Sequence, residues 1–291
     1  MYIDVAKSRH LVGVDIVLSY TGADENGEPV DPGTVTVSVT RFSGAAVTAG
    51  AVAAVSTART TTIAAANNQT VDRLTAVWSA SGNVLATTQH DIVGGFYAAL
   101  ADIRKDTVLA SAIKYTDAEL LDVRSEIEYQ IDDACKRAFV PRFYSEVLSG
   151  SGSDTLELYQ NDLREVVSAD EWNGSAWVAL SSTVADIPAS ERGRATLRSG
   201  WWAAGVKNIR VSYRYGWDRP PPDLRRAVVK AIEARRAGDS SGIPSRAISV
   251  QGTELGNVVL ATAGLGKWIT AIPEVDEVIN RYRLKQLGIG R

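Results

Sequence analysis

The chain has 291 residues, with 31 basic and 34 acidic side chains, one cysteine and two histidines. A single cysteine, Cys135, excludes an internal disulfide and a Cys-based zinc site, and His10 and His90 alone exclude a His-rich metal cluster. The net charge of -3 gives no global attraction to DNA or to an anionic membrane.

No stretch approaches the ~18 apolar residues of a membrane span. Residues 1–30 carry no uninterrupted apolar run with a cleavage-like end, so no signal peptide is expected. The length suits about two or three domains.

The first hundred residues differ in composition from the rest. Val35, Val37 and Val39 alternate with Thr36, Ser38 and Thr40, the period of a half-buried strand. Val14, Ile16 and Leu18 alternate less cleanly. Leu74–Trp78 reads as a strand, Ser81-Gly82-Asn83 as a turn, and Val84–Thr88 as the returning partner. Asn26-Gly27 and Asp31-Pro32-Gly33 carry turn chemistry. Short strands between such turns predict a β-sandwich of immunoglobulin-like shape over 1–95, without a disulfide brace.

A linking segment with one short helix near Ala98–Arg104 follows. Thr116-Asp117-Ala118-Glu119 is a capping box, and it predicts a helix over 117–139 that Pro141 stops. Leu120, Val123, Ile127, Ile131, Ala134 and Ala138 form its apolar stripe. Asp122, Arg124, Glu126, Glu128, Asp132, Asp133, Lys136 and Arg137 are expected on its solvated faces.

Residues 144–216 return to strand character as a small inserted β-domain. Trp172-Asn173-Gly174-Ser175-Ala176-Trp177 reads as a hairpin, and Ile209–Tyr215 alternates with Arg210, Ser212 and Arg214 on one face. Prolines then open a helix over 223–237, with Leu224, Ala227, Val228, Ala231 and Ile232 inward. Residues 239–272 suit a loop or hairpin. A last helix is expected over 273–287, with Val275, Val278, Ile279 and Tyr282 as its stripe. The class is therefore α+β: an N-terminal sandwich over 1–95, then a helical core over 96–291 with the β insertion inside it.

Motifs for chemistry are weak. Gly264-Leu265-Gly266-Lys267 lacks the flanking Gly and Ser or Thr of a phosphate loop. His90-Asp91 are adjacent on a strand and point to opposite faces, so they do not form an oriented dyad. Cys135 reads as a buried structural thiol. No enzyme activity, cofactor or metal is expected. The segment 207–236 carries nine basic and three acidic residues, a local excess of +6. It suits either a polyanionic partner or ordinary ion pairing with the acidic helix before it. The tail after residue 280 mixes Arg and Lys with the apolar anchors Leu284, Leu287 and Ile289, a composition suited to a partner's groove.

A set of stretches resembles a known family. They are Val-Gly-Gly-Phe-Tyr (93–97), Ala-Phe-Val-Pro-Arg-Phe (138–143), Val-Ser-Tyr-Arg-Tyr-Gly (211–216), Pro-Pro-Asp-Leu-Arg-Arg-Ala (221–227) and Ile-Pro-Glu-Val-Asp-Glu-Val-Ile-Asn-Arg-Tyr-Arg (272–283). Their order resembles the head-to-tail adaptor, or connector, proteins of tailed bacteriophages over about residues 93–291. The N-terminal domain resembles the extra domain carried by some long-tailed phages of actinobacterial hosts.

The resemblance implies a structural ring of about twelve subunits in the virion neck. The protein would be made in the host cytoplasm. The ring would join the capsid portal to a tail-side stopper or head-completion protein, and DNA would pass through it without sequence-specific binding. It also implies that the C-terminal segment docks on the portal, through Arg281, Tyr282, Arg283, Leu284, Lys285, Leu287, Ile289 and Arg291. Complementary charge between subunits is expected from Asp122, Glu126 and Asp133 on one face and Arg225, Arg226 and Arg235 on the other. A second reading is a phage surface protein that binds carbohydrate or host through the sandwich and exposed tryptophans.

Overall fold

The computed structural model describes residues 8–180, 187–237, 247–251, 257–260 and 270–284, with the backbone alone for 237, 247–251 and 257–260. The alternating valines and threonines of the N-terminal part build two facing sheets. In chain order the strands are β1 (Ser8–Leu11), β2 (Ile16–Ala23), β3 (Pro29–Val30), β4 (Thr36–Arg41), β5 (Ala46–Val47), β6 (Ala53–Val55), β7 (Ala58–Ile63), β8 (Asp72–Ala80) and β9 (Asn83–Val93). One sheet has the order β1-β9-β8-β4-β5 and the other β3-β2-β7-β6.

Their inner faces bury Ile16, Leu18, Val39, Ile63, Leu74, Ala76, Trp78 and Ile92. This is a β-sandwich, because each sheet hides one apolar face against the other. Ser81 and Gly82 both take positive φ (49° and 83°), the two-residue turn whose twist suits the β8–β9 hairpin. β1 is different: it runs parallel to β9 at the edge of its sheet, in the register Ser8↔His90, Arg9↔Asp91, His10↔Ile92, Leu11↔Val93.

The helical body starts with α1 (Leu100–Ile103) and α2 (Asp117–Cys135). Thr116 caps α2 as the sequence predicts: its Oγ1 accepts from the Glu119 amide at 3.3 Å, and Glu119 accepts from the Thr116 amide at 2.9 Å. The helix ends at Cys135, short of the expected 139. Lys136 takes a left-handed conformation (φ 51°), and its carbonyl accepts from the Asn161 amide and from Asn161 Nδ2, both at 2.9 Å. Those tertiary donors replace the helical bonds that would have continued the turn.

The β insertion contains β10 (Arg142–Gly150), β11 (Thr155–Glu157), β12 (Leu163–Trp172), β13 (Trp177–Ala179), β14 (Arg194–Thr196) and β15 (Gly205–Tyr215). β15 is central in the order β10-β15-β12-β13, and its Ile209, Val211, Tyr213 and Tyr215 fill a core of their own with Leu163, Val166 and Trp202. The Trp172–Trp177 hairpin forms, closed by a four-residue turn in which Asn173 Oδ1 accepts from the amides of Ser175 and Ala176.

α3 (Pro222–Ala237) and α4 (Pro273–Tyr282) pack on α2, and the inward residues predicted for α3 are all buried. Between them β16 (Ala247–Gln251) and β17 (Asn257–Leu260) pair antiparallel. α4 stops at Tyr282, five residues before the expected 287, because the Arg283 backbone is extended (φ −63°, ψ 124°).

Candidate assembly interface

The stretches that carry the family resemblance lie far apart in the chain and meet at one node. The Gly94 amide donates to the Pro141 carbonyl at 2.9 Å. A Cβ on Gly94 would lie 2.7 Å from the Pro141 ring, so only glycine lets these segments touch. The Gly216 amide donates to Asp162, and the next amide, that of Trp217, donates to the Ala138 carbonyl at 3.0 Å. Phe139 is fully buried, and its ring meets Tyr97, Trp217 and Tyr282 edge-on at 5.6, 5.2 and 5.4 Å. Tyr97 Oη donates to Asp132 and accepts from the Phe139 amide.

Below this node lies a cluster that the sequence pattern places wrongly. Arg124, Glu128 and Asp132 were expected on solvated faces of α2; they are 6%, 0% and 5% exposed. Arg142 of β10 reaches Glu128 at 2.7 Å and Asp132 at 3.7 Å. Arg9 of β1 crosses from the sandwich and pairs with Asp132 at 2.7 Å and Glu128 at 3.3 Å, while its guanidinium lies 3.6 Å over the Tyr129 ring. Arg124 stacks over Phe96 and donates to the Ala98 carbonyl.

Burial works against the charge on Arg9, but the fields of Asp132, Tyr129 and Glu128 override it and hold the guanidinium ionised. Arg124 is shifted the other way, by burial and by the like charges of Arg142 and Arg9. Burial and Asp132 push the Tyr97 hydroxyl up, so it stays a donor. The apolar stripe alone could not reveal this cluster, because the partners Arg9 and Arg142 come from other elements. The uncommon run of carboxylates at 128 and 132, one turn apart beside the stripe, was the available signal.

The sandwich is thereby fixed to the body. Phe42 and Phe143 meet at 5.1 Å, and Arg214 Nε donates to the Val71 carbonyl at 2.8 Å. An open groove of about 1130 Å³ follows this junction, lined by Asp122, Asp133, Tyr144 and Tyr159 among others.

The sequence-predicted residues fall into separate groups. Arg281 pairs with Asp223 at 2.9 Å, and Tyr282 Oη donates to the same carboxylate at 2.8 Å. Arg283 leaves the helix with an extended backbone and Leu284 follows it, exposed; Lys285, Leu287, Ile289 and Arg291 lie outside the described residues. Glu126 and Arg235, expected on faces that meet between subunits, already pair within the chain at 2.6 Å. Asp133 pairs with Lys136 at 2.5 Å. Much of the +6 segment is likewise spent on internal pairs, Arg236 with Glu119 and Arg210 with Asp170.

Arg225 and Arg226 are exposed, and they line a second cleft of about 410 Å³ with Lys105 and Lys230. Cys135 is buried and its thiol is pushed up to about 12 by burial, an unreactive structural thiol as the sequence suggests.

Known proteins give partial likenesses. The neck of a gene transfer agent particle contains a chain of similar path. That chain, from the neck of an empty particle computed with C6 symmetry, is 16% identical, with a TM-score of 0.45 over 66% of this chain and 92% of its own. A chain in the virion of a native gene transfer agent particle is 17% identical, with a TM-score of 0.41 over 67% and 93%. The Lin-41 filamin domain is 13% identical, with a TM-score of 0.25 over 32% and 90%. No protein-family profile and no curated protein matches the chain. At TM-scores below 0.5 no role is transferred from these likenesses.

Proposed function

We propose that the protein is a structural, non-catalytic subunit of a phage neck: a ring-forming adaptor between a capsid portal and a tail-side stopper. The observation that carries this reading is the convergence at Phe139. The stretches that resemble head-to-tail adaptors pack against each other there, through Gly94–Pro141, Tyr97–Asp132, Trp217–Ala138 and Tyr282–Asp223.

The C-terminal chain leaves this rigid node at Tyr282, with Arg281 and Tyr282 tied to Asp223. Such an anchored exit suits a tail that reaches for a portal. Asp122 and Asp133 in the groove, and Arg225 and Arg226 in the cleft, sit at separate places on the surface. A heterologous ring contact needs two unlike patches of this kind, because each subunit meets its neighbour through different faces.

Native mass spectrometry of the purified protein, alone and with portal, tests the reading, together with averaged images of virion necks. A closed ring bound to portal is expected. A monomer in the presence of portal, with no ring of this chain in the neck, overturns it.

The carbohydrate-binding alternative rests on exposed tryptophans. Trp172 and Trp177 meet at 60° and form no flat platform, and Trp201, the most exposed tryptophan among the described residues at 77%, stacks with no other ring to extend one. A glycan array is expected to be blank.

A further inference from the structure

The chain has only two histidines, and they meet. His10 Nε2 lies 3.2 Å from His90 Nδ1, across the parallel pair of β1 and β9. Ser8 Oγ lies 2.5 Å from His90 Nδ1 and 3.1 Å from His10 Nε2, and Thr88 Oγ1 lies 2.9 Å from His90 Nε2. His90 is 8% exposed. Successive strand residues point to opposite faces. Ser8 and His10 therefore share one face of β1, and Arg9 occupies the other, where it enters the carboxylates of α2. A four-residue edge strand thus ties both halves of the molecule: the sandwich through its histidine and the helical body through its arginine.

We propose that β1 is an acid-labile strap: protonation of the His10–His90 pair releases residues 8–11 from β9 and draws Arg9 out of its site on α2. The pair holds as long as at least one facing nitrogen is an unprotonated acceptor. Two imidazolium rings with nitrogens 3.2 Å apart have no acceptor between them and repel in a buried place.

The charged groups near the pair do little to relieve this. Asp91 is the carboxylate whose field reaches both rings, but it points to the Arg9 face and pairs with Arg73 of β8 at 2.9 Å. Leu74 faces His90 from β8, and Ser8 and Thr88 offer neutral hydroxyls. Burial and the neighbouring ring accordingly hold His90 down at about 4, and burial also lowers His10. The two halves have their own apolar cores, so loss of the strap leaves each folded.

Hydrogen–deuterium exchange between pH 7.5 and 4, corrected for intrinsic rates, tests the proposal. Amides of residues 9–12 should lose protection progressively from about pH 6.5 towards 4, by up to about tenfold per pH unit for each proton taken up, and should exchange faster than those of β8 and α2 throughout. His10→Gln should keep the strap protected to pH 4. If that variant folds poorly, NMR of the imidazole protons in the wild-type chain replaces it, and both rings should titrate below the ordinary histidine value. Protection of 9–12 that is unchanged to pH 4 overturns the proposal. So does exchange of 9–12 only at the rate of β8 and α2, loss at the same pH in His10→Gln, or imidazoles that titrate normally.

Discussion

Glu128→Gln is expected to destabilise the protein more than Arg9→Met, although each removes one charge. The reason is the composition of the buried cluster. Three guanidiniums (Arg9, Arg124, Arg142) face two carboxylates (Glu128, Asp132), so the cluster carries one surplus positive charge. Arg9→Met removes the surplus. Arg142 still reaches both carboxylates, and the methionine chain can cover the Tyr129 ring that the guanidinium leaves. What is lost is the pair of charge-assisted bonds at 2.7 and 3.3 Å, about 1.5–3 kcal/mol in all once relief of the surplus charge offsets part of the loss.

Glu128→Gln leaves three cations around one carboxylate, all nearly out of contact with water. The amide can still accept from the Tyr97 N–H, which Glu128 Oε1 now does at 2.7 Å. Its NH₂ group, however, must face Arg9 or Arg142. Unpaired buried charge of this kind costs about 3–5 kcal/mol. The gap between the variants is then about 2 kcal/mol, roughly thirtyfold in the folding equilibrium. Urea unfolding followed by tryptophan fluorescence measures it, with m-values compared to confirm that the same surface is exposed. If Arg9→Met costs as much as Glu128→Gln or more, the charge-surplus reasoning is wrong.

The remaining expectations concern the node, the cap, the tail and pH. Gly216→Ala should cost more than Gly174→Ala. Both have φ near +100°, but a Cβ at 216 meets the Val140 carbonyl at 2.4 Å while one at 174 meets open space; thermal melts of the two variants compare them. Thr116→Ala removes the hydroxyl arm of the capping box, leaving the Thr116 backbone amide to donate to Glu119, and should cost about 1 kcal/mol, read by urea midpoint. Deletion of 285–291 should leave the melting temperature within a degree or two and abolish portal binding in a pull-down; portal binding that survives unchanged removes the tail as anchor.

Stability should fall as pH drops from about 6.5 towards 4. His90 is held neutral in the fold with its pKa at about 4, so in that window the unfolded chain binds more protons than the folded one. The loss attributable to His90 approaches about 3 kcal/mol near pH 4. His90→Gln should flatten that part of the profile in urea midpoints recorded across pH.

Local pattern determined a good part of this protein. The alternation at Val35–Val39, the Ser81-Gly82 turn, the Thr116 cap and the apolar stripe of α3 were legible because each rests on neighbours within a few residues. Period and turn chemistry act at that range, so a linear reading recovers them. Tertiary structure alone decided where α2 stops, since Asn161, in the bend before β12, takes the Lys136 carbonyl.

It also decided that Glu128 and Asp132 are buried. A carboxylate beside an apolar stripe reads as solvated until Arg9, about 120 residues away in the chain, is placed against it. The same holds for the two histidines, which as letters 80 positions apart suggest nothing, and which β1 brings within 3.2 Å by pairing with β9. Charge and hydrogen-bond partners supplied from distant elements leave no period in the sequence, and in this chain they decide how the sandwich is joined to the helical body.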